Sequence, residues 1–405
     1  MNLSTYLEVL RVKQVRNALL LGLLIRVPMW AGAVLVSVHV VSHLERTYAQ
    51  AGLIGGAASI AVAVSGPWRG SKLDKFGLRR AVWPSLVVNA IAWTIAPWVG
   101  YWLLMAMVIV GGLFVVPTYS ILRQVVISHV PEEQRKSALV LDAVFMEFSF
   151  MLGPIAGVLL AHKVDTPLAL MIMELLSVLG GLLLWWINPP MGQDEDQRGE
   201  RVPLRTWMSP SVIAILAAAG AAVLVLSGTD LSIVAAVRSM QVPTLLGLMM
   251  AVWGAGSAVG GLVYGATTRH PPLMILLGLL GATTALVALA PGVVSFGVLT
   301  FLCGAFCAPT MTAGLDALTR EVPVAVRGEA MGWHSSLATG GASLGAPLVG
   351  LAIDGAGWQG GFVSAGVVGM VIAAIGFWIA PRTGAEHVEG LLSAEEVEAR
   401  ALGQA

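Results

Sequence analysis

Apolar residues along this chain come in runs of roughly twenty, separated by short polar turns, from residue 17 to residue 380. Runs of that length cross a hydrocarbon core of about 30 Å as helices. Backbone groups in lipid must pair internally, and the Leu, Ala, Gly and Val stretches lack the period-2 alternation of a membrane barrel. The pattern predicts twelve spans, near 17–41, 48–68, 81–99, 101–122, 138–161, 167–188, 211–236, 243–266, 272–290, 294–318, 329–352 and 358–380. The first is too long for a signal-peptide core and has no clear cleavage site, so it is expected to be retained. The longest polar interruption, from Pro189 to Pro210, divides the spans six and six. The expected fold class is an all-α membrane protein, with one six-helix bundle over 1–188 and a second over 211–380. A linker over 189–210 joins them, and a tail over 381–405 is expected to be an amphipathic helix or disordered.

The two halves repeat each other. Gly112, Pro117, Thr118, Val130, Pro131, Arg135, Ala138, Leu152 and Gly153 recur as Gly304, Pro309, Thr310, Val322, Pro323, Arg327, Ala330, Leu344 and Gly345, always 192 positions later and without a gap. A repeat of this kind in a membrane chain points to a transporter with its site between the repeats.

Composition agrees with that reading. Hydrophobic residues make up 57% of the chain, charged residues 11%, and mean hydropathy is +0.83. A soluble protein needs about a quarter charged residues to cover its surface. With the N-terminus cytoplasmic, all but four of the 23 Lys and Arg lie in or beside cytoplasmic segments. Arg46, Lys163 and Arg238 fall outside, and Arg26 falls within the membrane. The positive-inside rule therefore places both termini in the cytoplasm. Cys303 and Cys307, four apart in one apolar span, read as packing, and no cluster has metal-ligand spacing.

The loop after span two carries the most specific motif, Gly70-Ser71-Lys72-Leu73-Asp74-Lys75-Phe76-Gly77-Leu78-Arg79-Arg80. It resembles the signature loop of the major facilitator superfamily: glycine, three residues, aspartate, a basic residue, any residue, glycine, then basic residues. The resemblance extends over nearly the whole chain. It implies alternating access by two rocking bundles, with Gly70, Asp74, Lys75, Gly77, Arg79 and Arg80 as a cytoplasmic gate. Asp74 would meet a helix N-terminus of the other half, and Gly77 would permit a tight turn. The counterpart in the second half is degraded: Gly261 is kept, but Gly265 replaces the aspartate, and only Arg269 and His270 follow. In span five, Gly153, Pro154 and Gly157 resemble the glycine–proline motif of proton-linked exporters in this superfamily. Ser149 and Val158 depart from it, and ordinary helix packing also explains such a motif.

Ionisable groups inside spans mark the candidate site. Arg26 and Glu147 each lie about nine residues into parallel spans and so at matching depth, by the rise of ~1.5 Å per residue. We therefore expect them to pair, and a carboxylate that gains and loses a cationic partner is suited to carry a proton. Asp142, nearer the cytoplasmic mouth, is expected to relay protons or to sit among headgroups. Glu174 and Asp230, towards the outer side, are expected to line a vestibule or to be solvated at the interface. His334 and Thr339 take the repeat positions of Asp142 and Glu147, which concentrates coupling chemistry in the first half. Pro28 is expected to interrupt span one beside Arg26. The 13 tryptophans, Trp30, Trp93, Trp185, Trp186 and Trp253 among them, are candidates to stack on an aromatic substrate, while most read more simply as interface anchors.

No phosphate loop or nucleotide-binding segment is present, which argues against an enzyme or a primary pump. The expectation is a secondary transporter that exports a small molecule against protons. It would be a monomeric multi-pass protein of the cell membrane, with no cofactor and no nucleic-acid partner. A nutrient importer or uniporter of the same fold, and a receptor-like protein that does not turn over, are the alternatives.

Overall fold

The computed structural model describes residues 8–188, 207–267, 271–323 and 326–401. The described residues form an all-helical molecule without strands. The helices are α1 (Lys13–Ser42), α2 (Tyr48–Ile95), α3 (Tyr101–Leu113), α4 (Thr118–Ser128), α5 (Glu132–Lys163), α6 (Thr166–Ile187), α7 (Pro210–Ser239), α8 (Leu246–Ala266), α9 (Leu273–Val287), α10 (Val293–Gly304), α11 (Cys307–Glu321) and α12 (Arg327–Ala401). Nine helical stretches among these residues are long and apolar enough to cross a membrane, and Tyr101–Leu113 and Leu273–Val287 are shorter apolar helices. Most of the 189–210 linker, together with Arg269 and His270, lies outside the described residues.

Local chemistry accounts for where helices start and break. Thr47 and Gln50 form a reciprocal capping box at the head of α2. Asp165 and Ser209 accept from Leu168 N and Val212 N to cap α6 and α7, each followed closely by a proline. Gly77, at φ 72°, is the non-helical residue in α2, so it supplies the turn that its place in the loop predicts. Gly357, at φ 70°, does the same in α12. A side chain disfavours both conformations, and glycine is the residue that takes them without strain. Pro28, by contrast, does not interrupt α1, which runs unbroken from Lys13 to Ser42. Predicted spans four and ten are each split at their repeated Gly and Pro: α3 gives way to α4 after Gly112, and α10 to α11 after Gly304. In the first break the freed carbonyls stay paired. Asn89 Nδ2 donates to Phe114 O (2.8 Å), and Arg69 donates to Phe114 O and Val115 O (3.3 Å each).

The sequence repeat is realised as a repeat of contacts. A Cβ on Gly153 would fall 2.6 Å from Trp30 Cβ and 2.8 Å from Val27 O, so α5 lies hard against α1 there. At the repeat position, a Cβ on Gly345 would fall 2.6 Å from Leu224 O, and α12 lies equally hard against α7. Gly112 meets Ala58 and Ala61 of α2, as Gly304 meets Trp253 and Ser257 of α8. In lipid there is little hydrophobic gain from bringing helices together, so small residues that admit close backbone contact carry the packing. The outside of the bundle is correspondingly apolar: Val294, Trp102 and Trp186 are 83%, 75% and 70% exposed, as suits side chains that face acyl chains.

This packing predicts a contrast between two neighbouring glycines. A Cβ on Gly341 would overlap the Gly220 carbonyl and sit 3.1 Å from Leu224 N, whereas one on Gly340 meets nothing within 4 Å. Gly341→Ala is expected to destabilise by roughly 1–3 kcal/mol through overpacking. Gly340→Ala should be neutral, or stabilise by up to about 1 kcal/mol through helix propensity. Thermal unfolding of the two variants in detergent checks the difference.

Candidate functional site

A cavity of about 470 Å³ lies between the halves. Helical spacing builds its wall. Met29, Trp30, Ala33 and Ser37 come from one face of α1, and Ser85, Asn89 and Trp93 from one stripe of α2. Glu174, Ser177, Val178 and Gly181 come from α6, and Ser227, Asp230, Leu231 and Val234 from α7. Each set follows the i, i+3/i+4, i+7/i+8 spacing that keeps side chains on one helix face. Phe150 and Pro154 of α5, Met250 of α8, and Ala342 and Ala346 of α12 complete the enclosure. Trp30 meets Phe150 edge to face, with ring centroids 4.9 Å apart.

Of the five ionisable residues marked in the sequence, Glu174 and Asp230 line this cavity, one from each half, while Arg26, Asp142 and Glu147 are not among its lining residues. Glu174 has room because residue 32 is glycine: a Cβ there would overlap the Glu174 carboxyl.

The expected Arg26–Glu147 pair is not formed. Arg26 Nη1 instead donates to Asp142 Oδ1 at 2.8 Å, in a site where the two side chains are 1% and 8% exposed. Depth counted along Cα atoms misjudged this for two reasons. Helical side chains lean towards the N-terminus, so the long arginine reaches back about one turn, to the level of Asp142. Asp142 and Glu147 are also five residues apart, about 140° around the helix, so one of them at most faces α1. Glu147 lies on the side of α5 that carries Met151, which packs on Gly254 of α8. It is close enough to Cys307 of the second half to act on it electrostatically.

The span-five motif serves two interfaces at once. Gly153 and Gly157 admit α1, and a Cβ on Gly247 of α8 would lie 2.6 Å from Ile155 Cα and 3.2 Å from Pro154 O. In the signature loop, Arg79 donates to the Trp185 and Trp186 carbonyls (3.3 and 3.1 Å) at the C-terminal end of α6, and Trp185 Nε1 returns a bond to Arg79 O (3.0 Å). These contacts stay within the first half. Arg80 is exposed, and the side chains of Asp74 and Lys75 lie outside the described residues.

The two ends of the cavity differ. At the end where α2 begins, the halves touch: Gly52 and Gly56 of α2 pack on the backbone of Ala346 and Ser343, and Gly350 packs on Ala49. Asp354 of α12 accepts from Tyr48 N and Ala49 N, both at 2.9 Å, and so caps the N-terminus of α2 from the other half. Arg238 at the end of α7 donates to Ser42 at the end of α1 (3.0 Å). At the opposite end, a cleft of about 600 Å³ separates Val62 and Gly66 of α2 from Glu329, Trp333 and Ser336 of α12. Sequence reasoning passed over Asp354, because nothing along the chain marks which distant helix terminus an aspartate will meet. It also passed over Ser85 and Asn89, which share a stripe with Trp93, although polar residues at i, i+4 inside an apolar run were a signal.

Two repeated halves of membrane-length helices, enclosing a polar-dotted cavity that is closed at one end, define a membrane transporter. The sequence profile of the Major Facilitator Superfamily matches residues 18–295 and 227–398, and the chain belongs to that superfamily. Its fold is similar to that of the nucleoside transporter NupG (14% identity, TM-score 0.72, covering 91% of this chain and 99% of that one). It is also similar to a bacterial homologue of the human lysosomal transporter Spinster in an inward-facing, occupied conformation (14%, 0.70, 91% and 96%). A third likeness is to the human organic anion transporter MFSD10 (16%, 0.59, 90% and 99%). No curated protein matches the sequence. The chain is therefore a multi-pass membrane protein with the fold of secondary transporters, which move small molecules, rather than an enzyme.

Proposed function

We propose that this protein is a proton-coupled exporter of a small molecule in the cell membrane, working as a monomer by alternating access. The breaks at Gly77 and Gly357 support counting α2 and α12 as two crossings each. With α3–α4 and α10–α11 counted as one crossing each, that gives twelve in all, with both termini cytoplasmic by the distribution of basic residues. In that orientation the end sealed by Asp354 is the outer one, and the cleft between Gly66 and Glu329 opens to the cytoplasm. Asp354 then acts as an outer latch between the halves, and Asp74 is the corresponding cytoplasmic one, as the resemblance of its loop implies.

The observation that carries the reading is the pair of carboxyls, Glu174 and Asp230, that face one cavity from opposite halves. A carboxyl moved between dry and wet surroundings exchanges a proton. Rocking of the halves moves both groups between those surroundings, and Glu147, at the contact of α5 with α8, is a third candidate carrier.

In inside-out vesicles carrying the protein, an imposed proton gradient (acid inside) is expected to drive accumulation of a substrate from a metabolite and antibiotic panel. A protonophore should abolish that accumulation. Uptake that proceeds only in right-side-out vesicles, or without any gradient, would replace export with import or uniport. No gradient-dependent flux for any member of the panel would favour a receptor-like role.

A further inference from the structure

We propose that the cavity binds an organic cation: a molecule with an aromatic or other apolar body and a positively charged nitrogen or phosphorus centre held by Glu174 and Asp230. The proposal rests on reading the cavity as the transport site and adds the chemistry of what occupies it.

The charge inventory of the wall is one-sided. Its described lining residues include two carboxylic acids and no Lys, Arg or His. Neither acid has a hydrogen-bond or ion-pair partner among the described residues. An anionic substrate recognised inside a membrane needs a guanidinium or ammonium against it. Two buried arginines lie nearby, and neither is on the cavity wall: Arg26 is bound to Asp142, and Arg69 donates to the Phe114 and Val115 carbonyls.

The rest of the wall suits the body of such a cation. Trp30, Trp93 and Phe150 present aromatic faces and edges, and aromatic faces attract cations as well as apolar rings. Ser85, which is fully buried, lines the same space with a hydroxyl that has no partner among the described residues, and the indole N–H of Trp30 is also unpartnered. Buried polar groups are ordinarily paired, so these two add polarity behind the cavity wall, although neither atom is itself open to the cavity. The volume of about 470 Å³ falls in the range of drug-sized ligand sites.

The placement of the acids in opposite halves gives the charge a mechanical use. Glu174 belongs to the first half and Asp230 to the second, so a cation in the cavity is attracted to both halves. Two protons also neutralise the pair, but without bridging it. Cation and protons are therefore alternative occupants of one site.

Binding to purified protein in detergent, with no gradient present, tests this separately from transport. The probes are tetraphenylphosphonium, the neutral tetraphenylmethane core in a soluble derivative, and tetraphenylborate, which share a shape and differ in charge. The expected result is saturable binding of the phosphonium at least 10-fold tighter than that of either analogue. Glu174→Gln and Asp230→Asn should each weaken it by about 10- to 100-fold, the loss expected for a charged contact, at unchanged melting temperature. Equal binding of the three probes, tighter binding of the borate, or phosphonium affinity unchanged in both variants would overturn the proposal. Charge-selective binding in a protein that moves no cation in vesicles would uphold the cavity chemistry and overturn the transport reading instead.

Discussion

Replacing Asp142 by alanine is expected to cost about 3–5 kcal/mol of stability, because it removes a buried carboxylate bound to a buried arginine. Arg26 is 1% exposed, and its bond to Asp142 is short. The large figure reflects the loss of a charged partner by a buried guanidinium more than any net strength of the intact pair. Removing both charges together is therefore expected to restore most of the loss: Arg26→Met with Asp142→Leu should melt within a few degrees of wild type. Glu147→Gln should leave the melting temperature near the wild-type value, since Glu147 is not the partner of Arg26. Thermal unfolding of the four proteins in one detergent decides the matter. A loss from Glu147→Gln matching that from Asp142→Ala would return the pairing to the one read from depth alone.

Asp354→Ala should shift the protein from the state closed at the head of α2 towards one open there. The wild-type carboxylate accepts two backbone N–H groups at the head of α2, where the helix dipole also favours an anion. Bonds to a charged group are worth about 1.5–3 kcal/mol each when desolvated. Asp354 is exposed, and solvent screening reduces that to about 1–2 kcal/mol in total. At 1.4 kcal/mol per factor of ten, the equilibrium moves roughly 5- to 30-fold. Spin labels at Arg46 and Thr244, exposed on the two sides of the mouth, should report a longer distance population in Asp354→Ala than in wild type. Asp354→Asn, which keeps one acceptor but loses the charge, should fall between them. An unchanged distance distribution in a folded variant would remove Asp354 from the gate.

The gross architecture was legible because it depends on local and periodic properties. Membrane-length apolar runs, the repeat from Gly112–Gly153 to Gly304–Gly345, and the turn at Gly77 are all written in neighbouring residues, and the structure carries each of them. Pro28 shows the limit even of local reasoning. A proline costs a helix one backbone bond, but packed among other helices α1 stays continuous through Pro28. The candidate site was only half legible. That Glu174 and Asp230 were unusual could be told from their place in apolar spans. That both face one cavity depends on the rotation of α6 and α7 about their axes.

The sequence by itself determined that the chain is a bundle of membrane helices in two related halves, since lipid leaves the backbone no other way to satisfy its hydrogen bonds. It also singled out the few charges that the bundle must accommodate. Tertiary structure alone decided the partners: Arg26 with Asp142 rather than Glu147, Asp354 with the head of α2, and Arg79 with the end of α6. The physical reason is one of range. Helix formation and membrane burial are set within a few turns of chain, whereas an ion pair needs two side chains brought within about 3 Å. That proximity depends on helix rotation, on side-chain reach and on contacts more than a hundred residues away.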